Sequence, residues 1–280
     1  MRLGKVKNRG FEFNIGYSDH FGDLQFRVSV NGGYAKNEVI KLPETPGLMP
    51  WQLSKGHTFG SNGTAFLAYE YDGVFASQAD IDKNTIDYSA ATPKLSPGDM
   101  RIKDYDGNGK INADDRVRLD KNRDPQFTYG TSVSLAYKNF DLDVFVYGKI
   151  KQNMNNNLSG FYAADRLGIP AGQNTLQDIK KVWTADNPTG TLPGIANNAY
   201  AVPTGATSNF YRQNVNYLRV RNITLGYTFN TKKIIRSARL FVDVQNVGLL
   251  TNYNGYDPEI SEGNPYPQTL STTVGLSINL

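Results

Sequence analysis

The stretch FTYGTSVSLAYKNFDLDVFVYG, residues 127 to 148, decides the fold. In its first half Tyr129, Val133, Leu135 and Tyr137 fall on one side of an extended chain, and Thr128, Ser132 and Ser134 on the other. A repeat of two is the side-chain period of a β-strand. The turn KNFD (residues 138 to 141) interrupts it, and LDVFVYG then alternates again. The stretch therefore reads as one β-hairpin.

The same unit recurs on either side. Upstream, Phe11, Phe13, Ile15 and Tyr17 share a face opposite Glu12, Asn14 and Gly16; after the turn SDHFGD, Leu24, Phe26, Val28 and Val30 oppose Gln25, Arg27, Ser29 and Asn31. Downstream, ITLGYTF is followed by the turn NTKKIIRSA and by RLFVDVQN, in which Leu240, Val242 and Val244 oppose Asp243 and Gln245. The first strand of each unit ends alike, as Ile15-Gly16-Tyr17, Leu135-Ala136-Tyr137 and Leu225-Gly226-Tyr227. A last strand, TTVGLSINL, places Val274, Leu276, Ile278 and Leu280 on one face.

Half-buried strands of an antiparallel sandwich alternate in this way too. Two features favour a transmembrane barrel. The polar faces carry charge at mid-strand (Glu12, Arg27, Asp143, Asp243), and tyrosines recur at the same strand end, as in an aromatic girdle. Short turns also alternate with long connections over residues 35–126, 150–215 and 248–269, the asymmetry of periplasmic turns and extracellular loops. The expected fold is all-β: an antiparallel transmembrane β-barrel segment of about seven strands, near residues 10–17, 23–34, 127–137, 139–149, 217–229, 238–247 and 270–280. For the strand directions to alternate consistently, residues 35–126 must be one outward excursion, with AFLAYEYDGVF (65–75) in an extracellular hairpin.

Composition agrees with a barrel and excludes other classes. The mean hydropathy is −0.48 and the chain holds 17 Tyr and 14 Phe, which is polar and rich in amphipathic rings. No run approaches the ~20 apolar residues of a membrane helix, and MRLGKVKNRG lacks the apolar core of a secretory signal. A net charge of +4, not gathered into any run, gives no footprint for nucleic acid. The absence of Cys removes disulfides and thiolate ligands.

One motif stands out from the strands. KDYDGNGKINADD, residues 103 to 115, fits the EF-hand calcium loop with Asp104, Asp106, Asn108, Gly109 and Asp115 at positions 1, 3, 5, 6 and 12. The oxygen ligands for Ca2+ would be Asp104, Asp106, Asn108, the carbonyl of Lys110, Asn112 directly or through water, and Asp115. The shorter Asp at position 12 and the lack of flanking helices point to a structural ion held at roughly 10⁻⁵ to 10⁻³ M. The competing reading is a turn whose carboxylates bond their own backbone.

These segments taken in order resemble a known family. NRGFEFNIGY, GDLQFRVSVNGGYAKNEV, PGDMRIKDYDGNGKINADDRV, DPQFTYGTSVSLAYKNFDLDVFVYG, NYLRVRNITLGYTF, RLFVDVQNV, TNYNGYDPEI and YPQTLSTTVGLSINL are similar to the C-terminal barrel region of SusC/RagA-type TonB-dependent transporters of Bacteroidetes. The resemblance implies a part of an outer-membrane importer of glycan or peptide fragments that works with a SusD-like surface lipoprotein and draws energy from TonB. The family's signal peptide, TonB-contacting segment and plug domain are not found in residues 1–280, so the chain is expected to be a C-terminal portion of such a transporter. It ends in Leu280, where such barrels often end in an aromatic residue. The alternative is a secreted calcium-binding β-sandwich module with a carbohydrate-binding role.

No enzyme is expected. Asp141 and Asp143 share a face as lumen-lining carboxylates, and His20 and His57 have no ligand partner at metal spacing. Trp51, Tyr69, Tyr71, Phe161, Tyr162 and Trp183 offer aromatic faces in the loops, for which mutual packing is the simpler use. QDIKKVWTADNP, residues 177–188, reads as a short helix stopped before Pro188.

Overall fold

The computed structural model describes residues 4–60, 63–64, 67–119, 124–155, 177–194, 207–230, 235–255, 257–260 and 268–279. Phe161, Tyr162 and Leu280 lie outside them. The strands in chain order are β1 (Lys5–Phe21), β2 (Leu24–Lys41), β3 (Phe59–Gly60), β4 (Gly63–Thr64), β5 (Leu67–Ala68), β6 (Tyr71–Val74), β7 (Met100–Ile102), β8 (Val117–Arg118), β9 (Phe127–Tyr137), β10 (Phe140–Asn155), β11 (Arg212–Asn230), β12 (Ser237–Thr251) and β13 (Ser271–Asn279). Seven of them form one sheet in the order β1-β2-β9-β10-β11-β12-β13. The chain divides into two compact units, residues 8–37, 123–154 and 214–280 in one and residues 1–7, 38–122 and 155–213 in the other.

In the first unit the register turns each strand's alternation into two continuous faces. Val133 sits between Val28 and Val144, and Leu135 between Phe26 and Leu142. Val242 sits between Leu225 and Val274, and Leu240 between Tyr227 and Leu276. The other face aligns Ser134 with Arg27 and Asp143, and Asp243 with Thr224 and Thr273. The apolar face is left uncovered: Ile15 is 64% exposed, Leu276 61% and Leu225 53%. A sandwich would cover this face with a second sheet; lipid covers it in a barrel.

Two rows of rings bound this apolar face. At the turn end Tyr17 and Phe21 meet Phe26, and Phe140 and Phe229 meet Tyr227. At the other end Phe11 stacks on Tyr34, and Phe13 and Tyr129 on Phe127. From Phe127 to Tyr137 is ten residues, roughly 34 Å along the strand. Projected at a strand tilt of ~40°, that gives roughly 25 Å, the height of the apolar band of an outer-membrane barrel.

The strands run further than their alternation. β2 continues to Lys41, so the first excursion begins at residue 42, not 35; β10 reaches Asn155, β11 starts at Arg212 and β12 ends at Thr251. Lys151 and Asn246 have positive φ (56° and 55°), and the β11–β12 register shifts between Val220 and Asn222. Such bulges change the phase of the side chains without ending the strand, which hides the extension from a period-2 reading.

The second unit is built from short ladders: β3 with β4, β5 with β8 and β6 with β7. Of the segment 65–75, the described residues 67–75 stay out of the seven-stranded sheet and pair with two separate partners. Leu67-Ala68 pairs with Val117-Arg118, and Tyr71–Val74 with Met100–Ile102. The residues of this run that carry the apolar load, Tyr69 and Phe75, enter a core with Tyr88, Met100, Ile102, Ile111 and Phe210, and the strand follows that core. The segment 177–188 is helical only as a 3-10 turn, Gln177–Lys181. Val182 then bridges to Leu192, and a bridged backbone cannot continue a helix.

Candidate functional site

The loop from Asp104 to Asp115 is folded by its own side chains. Asp104 accepts the N–H groups of Gly107 (2.8 Å) and Gly109 (2.8 Å) on separate oxygens. Asp106 accepts from the Asn108 amide at 3.0 Å, and the Asn108 side-chain oxygen from Lys110 at 2.8 Å. Asp115, fully buried, accepts from Tyr105 and Asn112, each at 2.7 Å. Gly107 and Gly109 take φ of 72° and 78°, the left-handed region where a Cβ is costly.

These turns gather carboxylates. Asp104, Asp106 and Asp115 offer oxygens within 4.8 Å of one another. Among the described residues no Lys or Arg forms an ion pair with them. Burial pushes the Asp115 carboxyl up from its ordinary value, against the amides of Asn112 and Tyr105. Burial would raise Asp104 as well, but the amides of Gly109 and Gly107 hold it below the usual carboxylate range. The backbone at positions 6 to 8 is arranged to spare one carbonyl. Asp87 donates to the Gly109 carbonyl (2.8 Å) and accepts from Ile111 (2.9 Å), while no described group donates to the carbonyl of Lys110. The side-chain oxygen of Asn112 caps the 3-10 turn Ala113–Asp115 by accepting from Asp114 at 2.6 Å, which leaves its position as a ligand to a bridging water. The chemistry of the set, three carboxylates and a backbone oxygen, is that of a hard divalent cation.

The loop is braced, though not by helices. Gln52, buried, donates from its side-chain nitrogen to the carbonyls of Ala113 (2.7 Å) and Arg116 (2.9 Å), and Trp51 Nε1 donates to that of Asp114 (2.8 Å). Tyr69 donates its hydroxyl to the Asn112 carbonyl at 2.9 Å, and Ile111 is anchored in the core. The described aromatic candidates of the loops are thus engaged in holding them: Tyr71 donates to the Thr191 carbonyl, and Trp183 Nε1 to that of Ala76.

On the polar face of the sheet Asp141, Asp143 and Asp243 each have a partner. Asp141 pairs with Arg239, whose Nε lies 3.0 Å away, and Asp143 accepts from Ser134 at 2.5 Å. A Cβ on Gly226 would fall 2.5 Å from the Asp141 carboxylate, which gives the small residue of the recurring Leu-Gly-Tyr a reason. His20 lies 3.9 Å from Asp19, and neither histidine joins a metal-ligating group among the described residues.

Sequence and structure comparisons give this geometry relatives. No family model matches the chain. It is 29% identical to TonB-dependent receptor P3 of Formosa agariphila over 98% of its own length and 27% of that protein's. To TonB-dependent receptor SusC of Bacteroides thetaiotaomicron it is 24% identical, over 99% of the chain and 26% of the relative. The solved structure of the RagAB peptide transporter superposes with a TM-score of 0.70 at 22% identity, covering 99% of the chain and 30% of that one. The chain is thus similar to a C-terminal stretch of SusC/RagA-like TonB-dependent receptors. It spans between 26% and 30% of the relatives and structures it matches. The SusC/RagA-like segment belongs to the outer membrane, and its seven strands are part of a barrel wall that is not closed among the described residues. Among the described residues no second sheet covers the apolar face between the aromatic rows, which removes the secreted sandwich as a reading.

Proposed function

We propose that this chain forms a wall of an outer-membrane importer that carries glycan or peptide fragments inward, beneath a SusD-like surface lipoprotein, with energy from TonB delivered through a region N-terminal to it. The observation that carries the reading is the two-faced sheet. An apolar face bounded by aromatic rows meets lipid, and a face of Ser, Thr, Asp and Arg meets a watery lumen. In this reading the connections β2–β9, β10–β11 and β12–β13 are extracellular and the short turns periplasmic. The relatives are named as receptors and importers, which agrees with a protein that performs no catalysis.

The loop 104–115 in this reading holds a structural Ca2+ outside the cell. The cluster of three carboxylates, with no cationic partner among the described residues, supports it. The brace from Gln52, Trp51 and Tyr69 supplies the rigidity that helices supply elsewhere. Its role is to pin a long surface loop.

The test uses the full-length protein, tagged and purified from outer membranes in mild detergent. A co-purifying surface lipoprotein, and oligosaccharides or peptides released on denaturation and identified by mass spectrometry, are expected. Purification without a lipoprotein, together with unchanged growth on every polysaccharide and peptide source after deletion, would overturn the reading.

A further inference from the structure

Residues 252–255 and 257–260 follow β12 and would be expected to swing outward with the rest of their connection. They dock instead on the sheet. Asn252 is tied to β11 at two points, accepting from the Asn216 N–H at 2.8 Å and donating to the Asn214 carbonyl at 3.1 Å. The Tyr253 ring packs on a cluster of Met154, Val215 and Tyr217. Beyond it Arg219, its side chain 4% exposed, is held between two carboxylates of the segment. Nη2 lies 2.5 Å from Asp257 and Nε 2.5 Å from Glu259, the latter an ion contact without an aligned hydrogen bond. Glu259 also accepts the hydroxyls of Tyr147 (2.7 Å) and Tyr217 (3.0 Å).

Tyr147 identifies the side of the sheet involved. On β10 it shares a face with Asp141 and Asp143, the polar face. On β11 the odd positions Ile223 and Leu225 belong to the apolar face, through their partners Val244 and Val242. Strict alternation would therefore aim Arg219 at lipid. The irregularity between Val220 and Asn222 reverses the phase, so that Val215, Tyr217 and Arg219 become the buried positions and reach the same carboxylate as Tyr147.

We propose that residues 252–255 and 257–260 form a strap on the lumenal wall, latched by Arg219, that narrows the passage and limits what crosses it; the consequence for passage rests on the importer reading. The latch is asymmetric in charge. One guanidinium faces two carboxylates, so removing Arg219 leaves two like charges side by side in a buried place. Removing all three charges leaves nothing to repel.

The experiment compares four full-length proteins in proteoliposomes: wild type, Arg219→Gln, the neutral triple variant Arg219→Met with Asp257→Asn and Glu259→Gln, and Tyr147→Phe with Tyr217→Phe. Hydrogen exchange over residues 252–260 and leakage of oligosaccharide-sized solutes are read on each. Arg219→Gln is expected to speed exchange tenfold or more and to raise leakage, the tyrosine pair to do both to a lesser extent, and the triple variant, without the latch but also without the repulsion, to fall between wild type and Arg219→Gln. If Arg219→Gln does not assemble, the tyrosine pair carries the test. Unchanged exchange in both would overturn the latch. Faster exchange with unchanged leakage would overturn the narrowing of the passage. The exchange measurement does not use transport, so a strap that loosens in a protein that imports nothing would sink the importer reading and leave the latch standing.

Discussion

Replacing Asp106 by Asn should move the metal loop in opposite directions with and without calcium. The three carboxylates lie within 4.8 Å of one another, and two unit charges at that distance repel by about 0.9 kcal/mol in water-like surroundings and about 3.5 kcal/mol at an effective dielectric of 20. Asp106 is half-exposed, which favours the lower figure, and it takes part in two of the three pairs, so neutralising it relieves about 2 kcal/mol. Asn keeps the oxygen that accepts the Asn108 amide. It gives up the exposed contact with the Asn108 side-chain nitrogen, a loss of about 1 kcal/mol or less. Without calcium the variant loop is therefore expected to be more stable by about 1 kcal/mol. With calcium the loss of a charged ligand should weaken binding tenfold or more, about 1.4 kcal/mol. The assay is limited proteolysis between residues 95 and 125 in the full-length protein, in chelator and in millimolar calcium. Wild type should be cut faster in chelator and slower in calcium than Asp106→Asn, so the two rate orders cross. Rates that ignore calcium in both proteins, with the variant no better protected in chelator, would mean that the cluster is a hydrogen-bonded turn and nothing more.

Two further outcomes test the faces and the loop unit. Val133→Arg places a charge midway between the aromatic rows on the lipid side and should cost about 2–4 kcal/mol, read as a lower folded fraction by heat-modifiable gel mobility, whereas Ser132→Arg on the polar face should assemble normally; equal damage would mean that the faces are exchanged. Asp99 is buried, and burial raises its carboxyl above 3.8 against the amide of Ser96, so its contribution favours the fold below pH 3.8 and is lost as pH rises through its folded value. Asp99→Asn should accordingly slow hydrogen exchange over residues 98–102 at pH 7 and shrink its advantage toward pH 3.8, and a constant difference between the two proteins across that range would contradict the argument.

What the sequence determined by itself is whatever depends on near neighbours along the chain. Period-2 runs named the two faces of the regular stretches of the long strands, because a side chain's side is set by its place in the pleat. The spacing from Asp104 to Asp115 named the residues that meet in the loop, because Asp and Asn side chains reach backbone two to five residues on. Tertiary structure alone decided the rest. Gln52 and Trp51 brace the loop 104–115 from 61 to 64 residues away, and no local pattern marks a glutamine as the buried donor to three carbonyls. The strands continue past positive-φ residues at Lys151 and Asn246, the second beside the β11–β12 register shift, where alternation fails. Arg219 shows the limit most sharply. Its parity assigns it to lipid, and only the register shift two residues later, together with Asp257 and Glu259 folding back onto the wall, makes it the buried centre of an ion cluster. A phase change in a strand is a property of the pairing between two chains of residues, and neither chain records it alone.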